Sequence, residues 1–442
     1  MKKLLVIAYF FPPSGAVGVY RTLKFIKYLP EFGWEPVVLT VSNGKFPVYD
    51  ESLMKLIPAG IEVHRCPSWE TLNEGFDGPS AAPSPKKTIG SRIHTRLYLV
   101  WNWLVVPDAK VGWVRSATRE ARRLVREQGI HHVYISGYPF SSFLIGLRLK
   151  RDKHVRVAID YRDPWTQSIT YPRRTALHRR VDRAIEQRVV DASDLVISNT
   201  RHNSVQMAAG FGHGQHPEKF VAIHNGFDAE DFAPIPHVRS RQFTITYAGA
   251  FQYSVGSSFA DRAGDDTMKT YSPLYFFEAL QQLFERRPET KREVLVRFMG
   301  VLGQGYDPAI RERGLESVIE RLGYIDYDEH LRVLKQSDAL LLVLSRGEKS
   351  RGWIPSKFFQ YLGTGNPILA LAPEGEVRDI LAGTRGGICV EPDDVAGASR
   401  AIETLYDGWK SGPSIAQPDA AATAMYERRN LTAKLARALD SM

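Results

Sequence analysis

GWIPSKFFQYLGTGNPILAL, residues 352–371, decides the architecture. Pro suits a first helical position and Ser suits a cap, so a helix is expected to begin at Pro355 or Ser356. It stops at Gly363-Thr364-Gly365-Asn366-Pro367, and Ile368–Leu371 reads as a buried strand. Upstream, Ala339–Ser345 is an unbroken apolar strand. Strand, helix and strand in that order imply a parallel pair with a helical crossover. The first turn of this helix carries Lys357. A helix N-terminus already bears roughly half a positive charge, which disfavours a cation by a few tenths of a kcal/mol. A bound anion reverses that balance.

The 442 residues suit two domains of about 200 residues each. Hydrophobic residues at 43% and charged ones at 24% describe an ordinary soluble globular chain. Cys66 and Cys389 lie too far apart in sequence to suggest a disulfide framework or a zinc site, which fits a reducing, cytoplasmic setting. MKKLLVIAYFFPP imitates a signal peptide, but Pro12-Pro13-Ser14-Gly15 follows instead of a small-residue cleavage site, so Leu4–Tyr9 is read as a first buried strand. Leu97–Val106 falls well short of the roughly 18 apolar residues of a membrane span. Asn430-Leu431-Thr432 matches a glycosylation sequon that a cytoplasmic chain does not present. The net charge is +9, and between Arg115 and Val190 there are 17 Lys and Arg against 7 Asp and Glu. Such a patch suits phosphates, anionic head groups or nucleic acid.

Leu4–Ala8, Glu35–Val41, Ile61–Arg65, His132–Ser136, Val155–Asp160 and Leu195–Ser198 read as strands. Tyr20–Leu29, Ser116–Glu127, Phe140–Lys150 and Arg173–Val190 read as helices between them. The alternation starts again with Phe243–Tyr247, Tyr271–Glu285, Val294–Met299 and Asp328–Gln336. The expected fold class is α/β: two Rossmann-like, doubly wound parallel-sheet domains facing across a cleft. The expected boundaries are residues 1–232 and 238–415, with a helical segment 416–442 packing back on the first domain. Residues 74–92, rich in Pro, Ser and Gly, read as a loop.

Ligands of such sheets gather at the carboxyl ends of the strands. Pro12–Gly18 follows the first strand, where its glycines permit close backbone approach; a plain tight turn is an equal reading. Asp160-Tyr161-Arg162-Asp163-Pro164-Trp165 closes a buried strand. It is either an internal ion pair or a site with Asp163 as base and Trp165 as a sugar platform. In Gly137–Ser142, Ser141 or Ser142 is expected to cap the next helix. Gly249, in Tyr247-Ala248-Gly249-Ala250-Phe251, lets a diphosphate lie close to the backbone. Ser350, Gly352, Ser356 and Lys357 surround the helix start at Pro355 or Ser356.

Together these motifs resemble family 4 glycosyltransferases of the GT-B fold. The resemblance rests on Phe11–Gly15, Pro107-Asp108 with Gly112-Trp113, Asp160–Trp165, Asp194–Ser198 and His224–Asp228. In the second half it rests on Tyr247–Gly249, Leu322–Tyr324, Ser337–Ala339, Ile354–Lys357 and Gly365–Leu369. It implies retaining, metal-independent transfer of a sugar from a nucleotide-diphosphate donor, with no cofactor. The donor then binds the C-terminal domain and a saccharide or lipid-linked acceptor the N-terminal one. Carried over, Asp163, Arg162 and Lys357 are the candidate catalytic residues. Gly15, Gly249, Phe251, Gly300, Ser356, Lys357 and Gln360 are the candidate donor contacts. Ser14, Trp165, Asp108 and Tyr138 are the candidate acceptor contacts. Where the family commonly has two glutamates eight positions apart, this chain has Gly352 and Gln360. Gln360 retains hydrogen bonding to a ribose hydroxyl but supplies no carboxylate. Glu348 substitutes only if its loop folds back, and Ser254–Lys269 reads as an insert on the donor side.

Leu177, Val181, Ala184 or Ile185, and Val189 form an apolar stripe crowded by Arg173, Arg174, Arg179, Arg180 and Arg183. With the aromatic Leu97–Trp113, this suggests peripheral contact with an anionic membrane surface; a core-packed helix with a solvated basic face is the competing reading. A sugar-nucleotide epimerase and a catalytically silent sugar-nucleotide-binding protein are the alternatives. No nucleic-acid partner is expected, because no reading motif accompanies the basic residues.

Overall fold

A strand covered on both faces must be apolar throughout, and Leu4–Ala8 is wholly buried. The computed structural model describes residues 1–16, 18–46, 48–69, 105–168, 175–236, 238–251, 271–412 and 418–442. The expectations for residues 74–92, for 97–104 of the aromatic stretch, for Arg173 and Arg174, and for the insert 254–269 lie outside these residues. Two compact units form: Met1–His224 with Arg428–Met442, and Asn225–Glu427.

The first unit holds a seven-stranded sheet with the order β3-β2-β1-β4-β5-β6-β7. Its strands are β1 (Lys2–Ala8), β2 (Trp34–Val41), β3 (Glu62–Cys66), β4 (His132–Gly137), β5 (Arg156–Tyr161), β6 (Leu195–Ser198) and β7 (Phe220–Ala222). The second holds six strands in the order β10-β9-β8-β11-β12-β13. These are β8 (Phe243–Phe251), β9 (Val294–Leu302), β10 (Ile319–Gly323), β11 (Ala339–Val343), β12 (Ile368–Leu371) and β13 (Gly387–Val390). Every neighbouring pair is parallel. Each sheet is doubly wound, and its order reverses at β1/β4 or at β8/β11.

The units part after His224, earlier than residue 232. Phe227 and Phe232 pack in the second unit's apolar cluster, and the Phe227 N–H donates to Tyr426 O. The closing helix Arg428–Asp440 instead buries Leu431, Leu435 and Leu439 beside β1 and the helix Val19–Tyr28. Each leucine buried contributes about 2 kcal/mol.

Two local expectations are corrected. Phe140–Ser142 is a short 3₁₀ turn before the helix Phe143–Leu149, and neither Ser141 nor Ser142 caps it. The helix after β5 is Ala176–Ala192, capped by Thr175. It buries Asp182, Glu186, Val189 and Val190, while Leu177 and Val181 are 69% and 39% exposed. The bulky end of the stripe therefore faces solvent beside the exposed Arg179 and Arg180.

Candidate active site

Residues two apart on a strand share a face, so Tyr247, Gly249 and Phe251 line up along one side of β8. Both β8 and β9 run further than the sequence suggests. Gly249 and Gly300 are not in loops: they are partners within the paired strand ends, in register from Phe243↔Val294 to Phe251↔Leu302. Both have positive φ, +140° and +107°. A Cβ on Gly300 would lie 2.3 Å from the Gly249 carbonyl oxygen, so the second glycine is what allows the strands this approach.

Lys357 lies over that bare backbone. A Cβ on Gly249 would stand 2.9 Å from its Nζ. The helix it belongs to is Ser356–Thr364; Pro355 occupies the cap position, and no side chain caps the helix. Ser356 is the exposed first residue, not the cap, because Pro355 already sets the extended entry. The ammonium sits 3.8 Å from the centroid of the Tyr247 ring. Among the described residues it has no hydrogen bond and no carboxylate partner. Burial pushes it down to about 7.

Aromatic side chains build the surroundings. Tyr247 stacks on Phe251 at 4.2 Å, its hydroxyl is 3.3 Å from that of Tyr271, and Tyr271 packs against Trp353. Tyr361, one helical turn beyond Lys357, accepts a 2.8 Å hydrogen bond from the Ala248 N–H and ties the helix to β8. Phe251 is fully buried beneath Tyr247, so it supports the site from below and offers no face to a ligand. Gln360 is engaged with His330, whose ring stacks on Tyr327. Glu348 is exposed in a short turn after Gly347 and is not folded back.

In the first unit the predicted residues separate into braces and exposed groups. Asp160 is fully buried and receives Arg21 at 2.7 and 2.9 Å, together with the Tyr134 hydroxyl. Arg21 also donates to the carbonyls of Ile223 and His224. The ion pair in this stretch is therefore Arg21–Asp160. Asp163 is exposed, and the Arg162 guanidinium lies where a Cβ on Gly18 would be, at 1.6 Å. Asp108 is buried; it accepts from the Lys110 and Ser141 N–H groups and from the Ser141 hydroxyl, which fixes one loop to another. Trp165 is 2% exposed, stacked on Phe140 at 5.0 Å, and so is no open platform for a sugar. Ser14 is buried and bridges to Tyr49, while Gly15 is hemmed by Val48 at 2.9 Å from a Cβ position. Tyr138 remains half exposed on Phe10.

The stretch 17–226, nearly all of the first unit's sheet, matches the glycosyl transferase 4-like domain. HepE of Anabaena, solved in complex with UDP, is 13% identical over 100% of both chains, with a TM-score of 0.61. The lipopolysaccharide outer core galactosyltransferase WaaB is 12% identical over 100% of this chain and 99% of that one, with a TM-score of 0.59. The chain has the GT-B fold, and its stretch 17–226 is similar to the glycosyl transferase 4-like domain. The fold also extends to the UDP-GlcNAc 2-epimerase of Methanocaldococcus jannaschii, 11% identical over 100% of both chains with a TM-score of 0.53. No curated protein matches by sequence.

In this GT-B chain the second unit gathers Gly249, Gly300, Ser356 and Lys357 at the strand ends, and the first unit does not gather its candidates in the same way. Sequence reading missed Tyr247 and Tyr361. Their spacings, two before Gly249 and four after Lys357, were the available signal. Arg21 and His330 carry no comparable signal, because their partners lie 139 and 30 positions away. Among the described residues no group of three or more His, Cys, Asp or Glu is placed to hold a metal ion, and no helix is long and apolar enough to cross a membrane.

Proposed function

We propose that the chain is a glycosyltransferase that moves a sugar from a nucleotide-diphosphate donor to an acceptor, with retention and without a metal. The observation that carries this reading is the Lys357 ammonium, unpaired by any described carboxylate and set over the bare Gly249 backbone at an uncapped helix start. Negative charge develops on the diphosphate oxygen as the bond to the sugar carbon breaks. The charged ammonium and the first-turn N–H groups favour that charge more than the ground state. A leaving phosphate oxygen accepts the acceptor proton, so the reaction needs no protein nucleophile. Asp163 and Arg162 orient the acceptor in this reading, with Ser14, Asp108 and Trp165 acting indirectly by shaping their loops.

The acceptor is a saccharide or a lipid-linked saccharide. Leu177 and Val181, exposed beside Arg179 and Arg180, support contact with an anionic membrane from the cytoplasmic side. The UDP held by HepE makes uridine donors the first to try. Calorimetry with UDP-, GDP- and ADP-sugars on wild type and Lys357→Ala tests the reading. One nucleotide bound by wild type and lost in the variant supports it. No binding at all favours a silent partner protein. An epimerase, suggested by the fold shared with the 2-epimerase, converts the bound donor with no acceptor added.

A further inference from the structure

Arginines on globular surfaces usually meet carboxylates, and in the first unit many do. Arg123 pairs with Glu120 and Glu127, and Lys150 and Arg156 share Asp194. One group departs from this pattern. A hollow of about 710 Å³ is walled by Arg122, Arg126, Arg148, Arg151 and Lys153 over an aliphatic floor. None of these five cations has an ion-pair partner among the described residues. Asp152, the one acid in the wall, has an oxygen accepting the His154 N–H at 3.0 Å. The Arg122 guanidinium reaches the Arg148 carbonyl at 3.2 Å, which draws two elements of the wall together without neutralising either charge. Burial, then the charges of Arg122 and Arg151, push the Arg148 guanidinium below the usual arginine value.

The ordinary explanation is that helix C-termini attract cations. Two helices, Val114–Gln128 and Phe143–Leu149, do end here. Each end supplies about half a negative charge. Two ends and Asp152 offset about two of the five, leaving about three positive charges crowded round one hollow. The repulsion persists unless an anion is bound. Arginine forks match phosphate oxygens in pairs. No Phe, Tyr or Trp lines the hollow, so it offers bases no stacking platform.

We propose that this hollow binds a group carrying two or more phosphate charges, as a second anion site. It lies at the amino end of β5, while Asp163 lies beyond the carboxyl end of that strand. The six residues of β5 separate the two by about 20 Å. The site is therefore not part of the acceptor loops, and it does not depend on the proposed reaction. The phosphates come either from a soluble metabolite or from lipid head groups.

The test uses the full-length protein at low ionic strength. Sodium pyrophosphate is titrated calorimetrically into wild type, Arg148→Ala/Arg151→Ala, Lys357→Ala and Arg179→Ala/Arg180→Ala. All the arginines removed are exposed, and matched thermal midpoints check that the variants are folded. The proposal expects pyrophosphate binding to weaken about tenfold or more in the Arg148/Arg151 variant. It expects binding to persist in Lys357→Ala and in the Arg179/Arg180 control. Binding indifferent to Arg148 and Arg151, lost with Lys357, or weakened equally by the control overturns it. A second arm adds vesicles of phosphatidylglycerol and phosphatidylcholine in equal parts. Displacement of pyrophosphate by vesicles identifies head groups as the source, and its persistence identifies a soluble ligand.

Discussion

The Lys357 ammonium stands 3.8 Å from the centroid of the Tyr247 ring, a cation on the face of a buried aromatic. The ring's negative face recovers part of the hydration that the ammonium loses, an effect worth about 0.5–2 kcal/mol. It does not recover all of it, so the lysine falls to about 7 and is poised between charged and neutral near physiological pH. A bound diphosphate supplies the missing counter-charge.

The affinity for a sugar nucleotide, whose diphosphate does not titrate near neutrality, depends on this charge. Binding raises the Lys357 value above that of the free protein. Affinity is therefore full below about 7 and falls as pH rises, by up to about tenfold per pH unit until the bound form also loses its proton. Calorimetry across the neutral range, with proton uptake read from buffers of different ionisation enthalpy, checks this. Lys357→Arg, which stays charged, gives a flat profile.

Gly249 and Gly300 respond differently to the same change. Gly300→Ala forces a Cβ onto a backbone oxygen at positive φ and costs about 2–4 kcal/mol of stability by denaturant unfolding. In Gly249→Ala the clash is with a flexible ammonium, so about 1–2 kcal/mol of stability is lost. That variant instead loses donor affinity, because Lys357 is displaced.

The Arg21–Asp160 pair is a brace of the first unit, not part of the chemistry. Arg21→Met or Asp160→Asn leaves a buried charge unmatched and costs about 3–5 kcal/mol. Arg21→Met with Asp160→Leu costs less than the sum of the single changes. A double-mutant cycle by urea unfolding reads the coupling.

Glu186 is buried under Thr166, whose N–H and hydroxyl donate to it, yet burial raises its carboxyl to about 7. The folded protein therefore holds a proton that the unfolded chain has released between the ordinary glutamate value and about 7. Stability falls as pH rises through that window. Glu186→Gln removes the dependence and gains most over wild type above pH 7. Thermal midpoints measured on both sides of neutrality decide it.

The architecture is legible in the residues alone. Apolar runs such as Leu4–Ala8 and Ala339–Val343, separated by helical stretches, allow little except two parallel sheets, because side-chain periodicity is local and survives without tertiary knowledge. The Lys357 anomaly was legible for the same reason: a cation in a first helical turn is a contradiction visible within five residues. Which polar residues are already satisfied emerges only from the packing. Asp108 and Ser14 read as acceptor contacts, yet Ser141 engages the Asp108 carboxylate and Ser14 is buried. Trp165 read as a platform and is covered by Phe140. Conversely, nothing local distinguishes the five cations at the amino end of β5, unpaired among the described residues, from paired neighbours such as Arg123. A side chain's availability depends on what lies across space from it, and the partners that settle it lie from 25 positions away, as Phe140 does from Trp165, to 139, as Arg21 does from Asp160.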